Sequence, residues 1–220
     1  QVGLIAEHRF DPRRSITARV YTGSRDLDQW LAVPLAAQNA ATSAGGIVDL
    51  DRSFGGIGLQ YSHQIPTDAG LVSVVVGIDH DTLSERRRGF LNDGGLRGGL
   101  KRDEDDKVRN TDFYGQLSWD ITEAWTLIAG ARSSRVRFST RDYYVVAGNP
   151  DDSGRASYSA VNPVLGAVWR LTDDVNLYAH LGRGFETPTF SELAYRPGGE
   201  SGLNFALNSS RSRQAEIGAK

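Results

Sequence analysis

The residues best suited to bind a ligand are a run of three arginines and a pair of tyrosines. Arg86, Arg87 and Arg88 stand together in "ERRRGFLN", and Tyr143 and Tyr144 are adjacent in "RDYYVV". Guanidinium groups form paired hydrogen bonds to carboxylates or catecholates, and phenol rings stack on aromatic groups. The two sets are therefore candidates for contact with an anionic ligand. Contact with lipid phosphates, or simple solvation of the charges, is the alternative.

Signals for catalysis or for a bound metal are poor by comparison. The four histidines, which lack metal-ligand spacing, are His8, His63, His80 and His180. No serine-centred nucleophile elbow or phosphate-binding loop is present. The acidic run "KRDEDDKVRNTD" departs from a calcium loop because Tyr114 stands where the bidentate Glu is needed. We expect no enzyme activity, no cofactor and no metal site.

Composition excludes some partners and leaves the cellular compartment open. The 220 residues carry 25 Lys plus Arg against 27 Asp plus Glu, so no global basic field would draw the chain to nucleic acid. Cysteine is absent, which suits passage through an oxidising compartment. Methionine is absent as well, and we expect a processed chain or an internal fragment. The uncharged run Gln29 to Val48 is too polar for a transmembrane helix.

Alternation of apolar and polar residues with a period of two is the dominant pattern and predicts strands. In "TDFYGQLSWD", Phe113, Leu117 and Trp119 fall on one side and Tyr114 and Gln116 on the other. Eight predicted strands are Ile16–Arg25, Phe54–His63, Leu71–Asp79, Thr111–Asp120, Trp125–Phe138, Tyr158–Arg170, Val175–Gly182 and Arg213–Lys220. We expect one outer face to carry Phe113, Leu117, Trp125, Leu165, Trp169, Leu177 and Ile217.

The connections between these strands alternate strictly between short and long. Short turns are predicted at Asp11–Ser15, Pro66–Gly70, Asp120–Ala124 and Thr172–Asp174, and long loops at Asp26–Ser53, His80–Asn110, Thr140–Arg155 and Gly184–Ser210. This is the plan of an all-β, antiparallel, up-and-down transmembrane β-barrel with short periplasmic turns and long extracellular loops. Tryptophans beside the short turns suit an interfacial girdle, although they also suit the core of a soluble sheet.

Many small and polar residues occupy the inward positions of these strands. A narrow barrel fills its interior with side chains, so such residues indicate a wide barrel of which about eight strands are present here. We therefore expect an open, curved sheet in which the first and last strands do not pair. A small, closed eight-stranded outer-membrane protein, acting as an anchor, adhesin or lipid-modifying enzyme, is the alternative.

The segment "NLYAHLGRGFETPTFSELAYRPGGESGLNFALNSSRSRQAEIGAK" resembles the barrel of TonB-dependent outer-membrane receptors of the siderophore receptor type. "DRSFGGIGLQYSHQ" and "ERRRGFLN" resemble the family more weakly. The resemblance implies a location in the outer membrane of a Gram-negative bacterium and energy-coupled uptake of a scarce ligand such as a ferric siderophore. It also implies a TonB complex acting through a plug domain, and surrounding lipid and lipopolysaccharide. Residues 1–220 would be barrel without plug or final strands.

The stretch "ETPTFSELAYRP" predicts a short helix within the last long loop. Pro188 suits a first helical position, and Thr189 and Glu192 have the spacing of a capping box. We expect this segment to pack the loop onto the barrel rim. Ligand contact, in which Tyr195 and Arg196 would take part, is the alternative.

Overall fold

The computed structural model describes residues 1–193 and 202–220, which form one antiparallel sheet of nine strands. The strands are β1 (Val2–Asp11), β2 (Arg14–Trp30), β3 (Ile47–Thr67), β4 (Gly70–Asp93), β5 (Leu96–Asp120), β6 (Trp125–Asp142), β7 (Gly154–Arg170), β8 (Asn176–Glu186) and β9 (Ser210–Ala219). Two short helices are α1 (Leu35–Gln38) and α2 (Phe190–Leu193). Neither helix of the described ranges has the length and apolar character needed to cross a membrane.

Each strand pairs with the next one along the chain, from β1 through to β9. In the described residues, β1 and β9 are the two edges of the sheet and do not pair with each other. The expected up-and-down topology and the open sheet are therefore confirmed. A closed eight-stranded barrel would require a ladder between the first and last strands.

The expectation of eight strands is wrong by one, because β1 was not predicted. Val2, Leu4 and Ala6 continue the apolar pattern of β2, since Leu4 lies opposite Val20 and Ala6 opposite Ala18. Ile5 is also apolar but lies on the other face of β1, so the sequence does not alternate between apolar and polar residues there. Only pairing with β2 reveals the strand.

The long loop expected at His80–Asn110 is also wrong. The strand β4 continues to Asp93 and β5 starts at Leu96, so a tight turn through Gly94 and Gly95 joins them. Both glycines have positive φ, 60° and 93°, which a side chain would disfavour. This polar extension shows no hydrophobic alternation, yet the backbone ladder continues through it to the turn, with register shifts near Phe90.

The register gives the sheet one apolar face and one polar face. Phe113 lies opposite Ile78 on β4 and Ser133 on β6, and Leu117 lies opposite Val74 and Ala129. Following these pairs across the sheet, the seven residues expected on the outer face all share the apolar face, which confirms that they lie on one side of the sheet. Side chains of the polar face include Arg19, Gln60, Tyr114, Gln116, Arg132, Asn162 and Glu216.

Aromatic side chains gather on the apolar face beside the short turns. Trp125 and Trp169 are cross-strand partners, and their rings stack at 5.4 Å between centroids. Trp119 donates from its indole Nε1 to the carbonyl oxygen of Ala69 in the β3–β4 turn at 2.8 Å. This end of the sheet therefore carries three amphipathic rings, and the indole N–H of Trp119 has a hydrogen-bond partner.

The connection between β2 and β3, residues 31–46, is fastened to the end of β4 by a buried glutamine. The Gln38 side-chain amide donates to the carbonyl oxygens of Val33 at 2.7 Å and Asn92 at 3.1 Å. The Gln38 Oε1 accepts from the Asn92 backbone N–H at 2.8 Å. Gln38 is fully buried, so the three bonds have no competition from water.

Replacing Gln38 with Ala should loosen the connection 31–46. The change leaves backbone groups of Asn92 without their partner, at a cost of about 1–3 kcal/mol. Hydrogen exchange of residues 31–46 and 90–92 should accelerate. Gln29→Ala, which removes an exposed amide on β2, is the control. Equal exchange in the two variants would show that Gln38 does not hold the connection.

Candidate functional site

A polar cleft lies on the polar face where three connections meet the ends of β5 and β6. Its volume is about 190 Å³. Its lining residues are Thr42, Ala44, Lys101, Arg102, Glu104, Thr140, Asp142, Tyr144, Asn149, Asp152, Gly202 and Leu203. They come from strands β5 and β6, from the connections 31–46 and 143–153, and from the described part of the connection 187–209.

Asp142, the last residue of β6, shapes one wall of the cleft. Its carboxylate accepts the backbone N–H of Tyr144 at 2.8 Å and that of Asp152 at 3.2 Å. The side-chain amide of Asn149 donates to the Tyr144 carbonyl oxygen at 2.8 Å. These bonds fold the connection 143–153 back on itself and fix Tyr144 at the cleft.

The last connection packs over the polar face through the predicted helix. Glu192 accepts the backbone N–H of Thr189 at 2.7 Å, and the Thr189 hydroxyl accepts the N–H of Glu192 at 3.3 Å. This confirms the capping box. Leu193 and Leu203 are buried against Phe138 and Tyr158, which lie on the polar face of β6 and β7. The expected packing onto the barrel wall is therefore present.

A cluster of alternating charges lies on the polar face beside the cleft. We call it the polar-face charge cluster, and its members are Arg52, Glu85, Arg87, Arg102, Glu104 and Asp106. Arg52 pairs with Glu85, and Arg102 with Glu104 at 2.5 Å. Three cations face three carboxylates, so the cluster is close to neutral when all six are charged.

Asp106 is the most buried member of this cluster, with 1% of its surface exposed. The Thr140 hydroxyl donates to its carboxyl at 2.5 Å. Burial, reinforced by the negative charge of Glu104, raises the pKa of the Asp106 carboxyl to about 7. Burial also lowers the pKa of Arg87, and the nearby Arg102 guanidinium adds to that effect. The cluster therefore contains a carboxyl that exchanges its proton near neutral pH.

The three consecutive arginines do not act as one group, because they lie on strand β4 and not in a loop. Arg87 lies on the polar face. Arg86 and Arg88 lie on the other face, where Arg86 pairs with Asp103 at 2.7 Å and with Asp105 at 3.1 Å. Arg88 pairs with Asp49 at 3.1 Å. Alternation along the strand separates neighbours in sequence onto opposite sides of the sheet.

The tyrosine pair is divided in the same way. Tyr144 lines the cleft. Tyr143 stacks under the Arg86 guanidinium, 4.7 Å from its ring centroid, and donates from its hydroxyl to Asp105 at 2.9 Å. Tyr195 and Arg196 lie outside the described residues.

Several cleft residues were not singled out from the sequence. Lys101, Arg102 and Glu104 belong to "KRDEDDKVRNTD", which looks like a solvated loop. Steps of two back from Phe113 give the positions that share its face. Glu104 and Asp106 fall between those positions and therefore lie on the polar face, which is the signal that could have found them. Among residues 1–193 and 202–220, no group of three His, Cys, Asp or Glu side chains is placed to hold a metal ion.

Solved structures share this fold. The ferric citrate transporter FecA superimposes with a TM-score of 0.78 at 19% identity, covering 99% of this chain and 31% of that chain. The siderophore receptor PiuA from Acinetobacter baumannii gives 0.75 at 14% identity, covering 99% and 36%. The ferric yersiniabactin uptake receptor FyuA from Yersinia pestis gives 0.69 at 17% identity, covering 99% and 32%. The chain thus spans about a third of the length of each.

Sequence comparison agrees with this fold. The pesticin receptor of Yersinia pestis is 31% identical over 74 residues, which is 33% of this chain and 11% of that protein. Residues 1–220 match the family described as "TonB dependent receptor-like, beta-barrel". The family description names a receptor and not an enzyme, in agreement with the expectation that the chain has no enzyme activity. The family match spans the whole chain, and the sheet has the sequential antiparallel order of a barrel wall. The chain therefore belongs to the β-barrel family of TonB-dependent receptors.

Proposed function

We propose that the chain forms part of the wall of an outer-membrane receptor that takes up a ferric siderophore in a Gram-negative bacterium. The observation that carries the proposal is the cleft on the polar face, over which three connections converge. A receptor must capture its ligand above a lumen, and the polar face with its overlying connections supplies such a place. The neighbours FecA, PiuA and FyuA support iron chelates as the ligand class.

The apolar face would contact lipid and the polar face would line the lumen. Lipid contact suits a face whose middle rows hold Leu59, Ile78, Leu117 and Leu165. Both edges of the described sheet expose unpaired backbone groups, which hydrocarbon does not tolerate. Further strands would therefore close the wall in the working receptor.

The lumen would hold a plug domain through which a TonB complex supplies energy. The polar face offers a surface of paired charges for such a domain. Arg132 bonds Asp112 at 2.5 Å, and Arg19 bonds Asp79 at 3.2 Å. Because these charges are already paired within the wall, a plug that slides or unfolds would not leave a buried charge without a partner.

Ligand contacts are proposed for Arg102 and Tyr144 in the cleft, with Lys101 beside them. The guanidinium and phenol would bond carboxylate or catecholate oxygens of the chelate. Arg87 is half-buried in the adjacent cluster and would act through Arg102. Tyr195 and Arg196 stay proposed contacts because they follow α2 in the connection that covers the cleft.

The double variant Arg102→Gln with Tyr144→Ala should weaken chelate binding by the full-length receptor at least tenfold. Charge-assisted hydrogen bonds contribute about 1.5–3 kcal/mol each, and 1.4 kcal/mol corresponds to a factor of ten. Equilibrium titration with a panel of ferric chelates is the measurement. Gln116→Ala, on the polar face of the same strand but far below the cleft, is the control and should bind as wild type.

The same titration tests whether the three consecutive arginines contact the ligand. Replacing Arg86, Arg87 and Arg88 with Ala is expected to weaken binding, and we assign the effect to Arg87. Arg86→Gln with Arg88→Gln should then change binding little, because both side chains lie on the other face. Wild-type affinity in the variant with Arg102→Gln and Tyr144→Ala would show that the cleft does not bind the chelate.

A further inference from the structure

Five basic side chains on β5, β6 and β7 lie close together on the apolar face, just beyond its apolar rows. We call them the basic patch: Lys107 and Arg109 on β5, Arg135 and Arg137 on β6, and Arg155 on β7. Steps of two residues lead from Phe113 to Arg109 along β5, so both share the apolar face. Arg109 lies directly opposite Arg137, and Ser139 lies opposite both Lys107 and Arg155. The patch lines a shallow groove of about 620 Å³.

The basic patch has no internal neutralisation. All five side chains are exposed, and none forms an ion pair within residues 1–193 and 202–220. The adjoining part of the same face is different, since Arg86 and Arg88 are paired with Asp103, Asp105 and Asp49. The charge of this face is therefore balanced over β3 to β5 and unbalanced over β5 to β7.

Binding of an anion from outside the chain would stabilise the basic patch. Like charges directly opposite on adjacent strands are destabilising, and Arg109 and Arg137 are such a pair. Guanidinium groups in a row bind phosphate oxygens with paired hydrogen bonds. Arg109 is four residues beyond Phe113, about 13 Å along the strand at roughly 3.3 Å per residue. That distance from the apolar rows is where lipid headgroups lie.

We propose that the basic patch binds the phosphate groups of a phosphorylated outer-leaflet glycolipid, the class to which lipopolysaccharide belongs. The proposal rests on the membrane location given under the proposed function, and it adds a specific binding site to it. The lipid acyl chains would lie along the apolar face below, on Phe113 and Val161. The bound headgroup would remove the repulsion between Arg109 and Arg137.

The test measures binding of micellar lipopolysaccharide to the purified full-length receptor in a non-ionic detergent. Arg135→Gln with Arg137→Gln should weaken binding at least tenfold at low ionic strength, and added salt should reduce the difference. The control, Arg13→Gln with Arg25→Gln, removes the same charge from a short turn and from the polar face and should stay within twofold of wild type. Arg155→Gln alone provides a milder variant, and gel mobility before and after heating checks folding.

Enzymatically dephosphorylated lipopolysaccharide identifies the group that is recognised. Wild-type receptor should bind it no better than the Arg135 and Arg137 variant binds the intact lipid. Equal losses in the patch variant and its control, unchanged binding in the patch variant, or equal binding of the dephosphorylated lipid would each overturn the proposal. The assay contains no iron chelate, so failure of siderophore binding and failure of lipid binding are separate results.

Discussion

Leu117→Arg should destabilise the receptor in a lipid bilayer, whereas Gln116→Arg should not. Leu117 lies on the apolar face opposite Val74 and Ala129, and its neighbour Gln116 lies on the polar face. An arginine facing hydrocarbon costs about 2–4 kcal/mol near the bilayer midplane and less towards the interfaces. Urea unfolding of the full-length receptor folded into phosphatidylcholine vesicles measures the difference.

The two positions form a matched pair. Both side chains are exposed in the described sheet, on the same strand and one residue apart, so only the face differs. Amounts of each variant that reach the outer membrane of the bacterium should follow the same order. Equal destabilisation by the two arginines would contradict the assignment of the faces.

Raising the pH from 5 to 8 should reduce the stability of the receptor through Asp106, and Asp106→Asn should remove much of that dependence. Asp106 is seven residues from Phe113 along β5, beyond the apolar rows and therefore outside the segment that we propose to span the membrane. Its folded pKa of about 7 is above the ordinary value of 3.8. Between these values the folded state keeps a proton that the unfolded state has released.

The sign of the effect follows from this difference in bound protons. Stability falls as pH rises wherever the folded state binds more protons, here by up to roughly 1 kcal/mol per pH unit until the folded pKa is passed. Asn keeps the bond from the Thr140 hydroxyl without acquiring a charge. Asp26→Asn, which changes an exposed residue of β2, is the control for urea unfolding at each pH. An unaltered pH slope in Asp106→Asn would show that another group carries the dependence.

The sequence was sufficient for those parts of the strands where one face is apolar. Phe113, Leu117 and Trp169 could be placed because residues of the apolar face and of the polar face alternate along a strand with a period of two. The same rule failed at β1, where Ile5 breaks the alternation. It failed again over His80–Asn110, where the strands project beyond the apolar rows and no hydrophobic pattern distinguishes strand from loop.

The candidate site was less accessible to sequence reasoning than the fold. Adjacency of Arg86, Arg87 and Arg88 suggested one group, but a strand sends neighbours to opposite faces. The cleft combines Ala44, Tyr144 and Leu203, which are distant in sequence and meet only because three connections fold over one face. The basic patch needed the register of three strands, since Arg109, Arg137 and Arg155 form no motif along the chain.

Lipid accessibility along β5 tests the assignment of the two faces most directly. Residues 1–220 contain no cysteine, so in a full-length receptor whose other cysteines are replaced by serine, a single cysteine at Phe113, Tyr114, Gln116 or Leu117 carries the only fluorescent label. In vesicles containing brominated lipid, labels at positions 113 and 117 should be quenched, and labels at 114 and 116 should respond instead to a water-soluble quencher. Lipid quenching at 114 and 116 equal to that at 113 and 117 would contradict a wall with one face to the membrane and the other to a lumen.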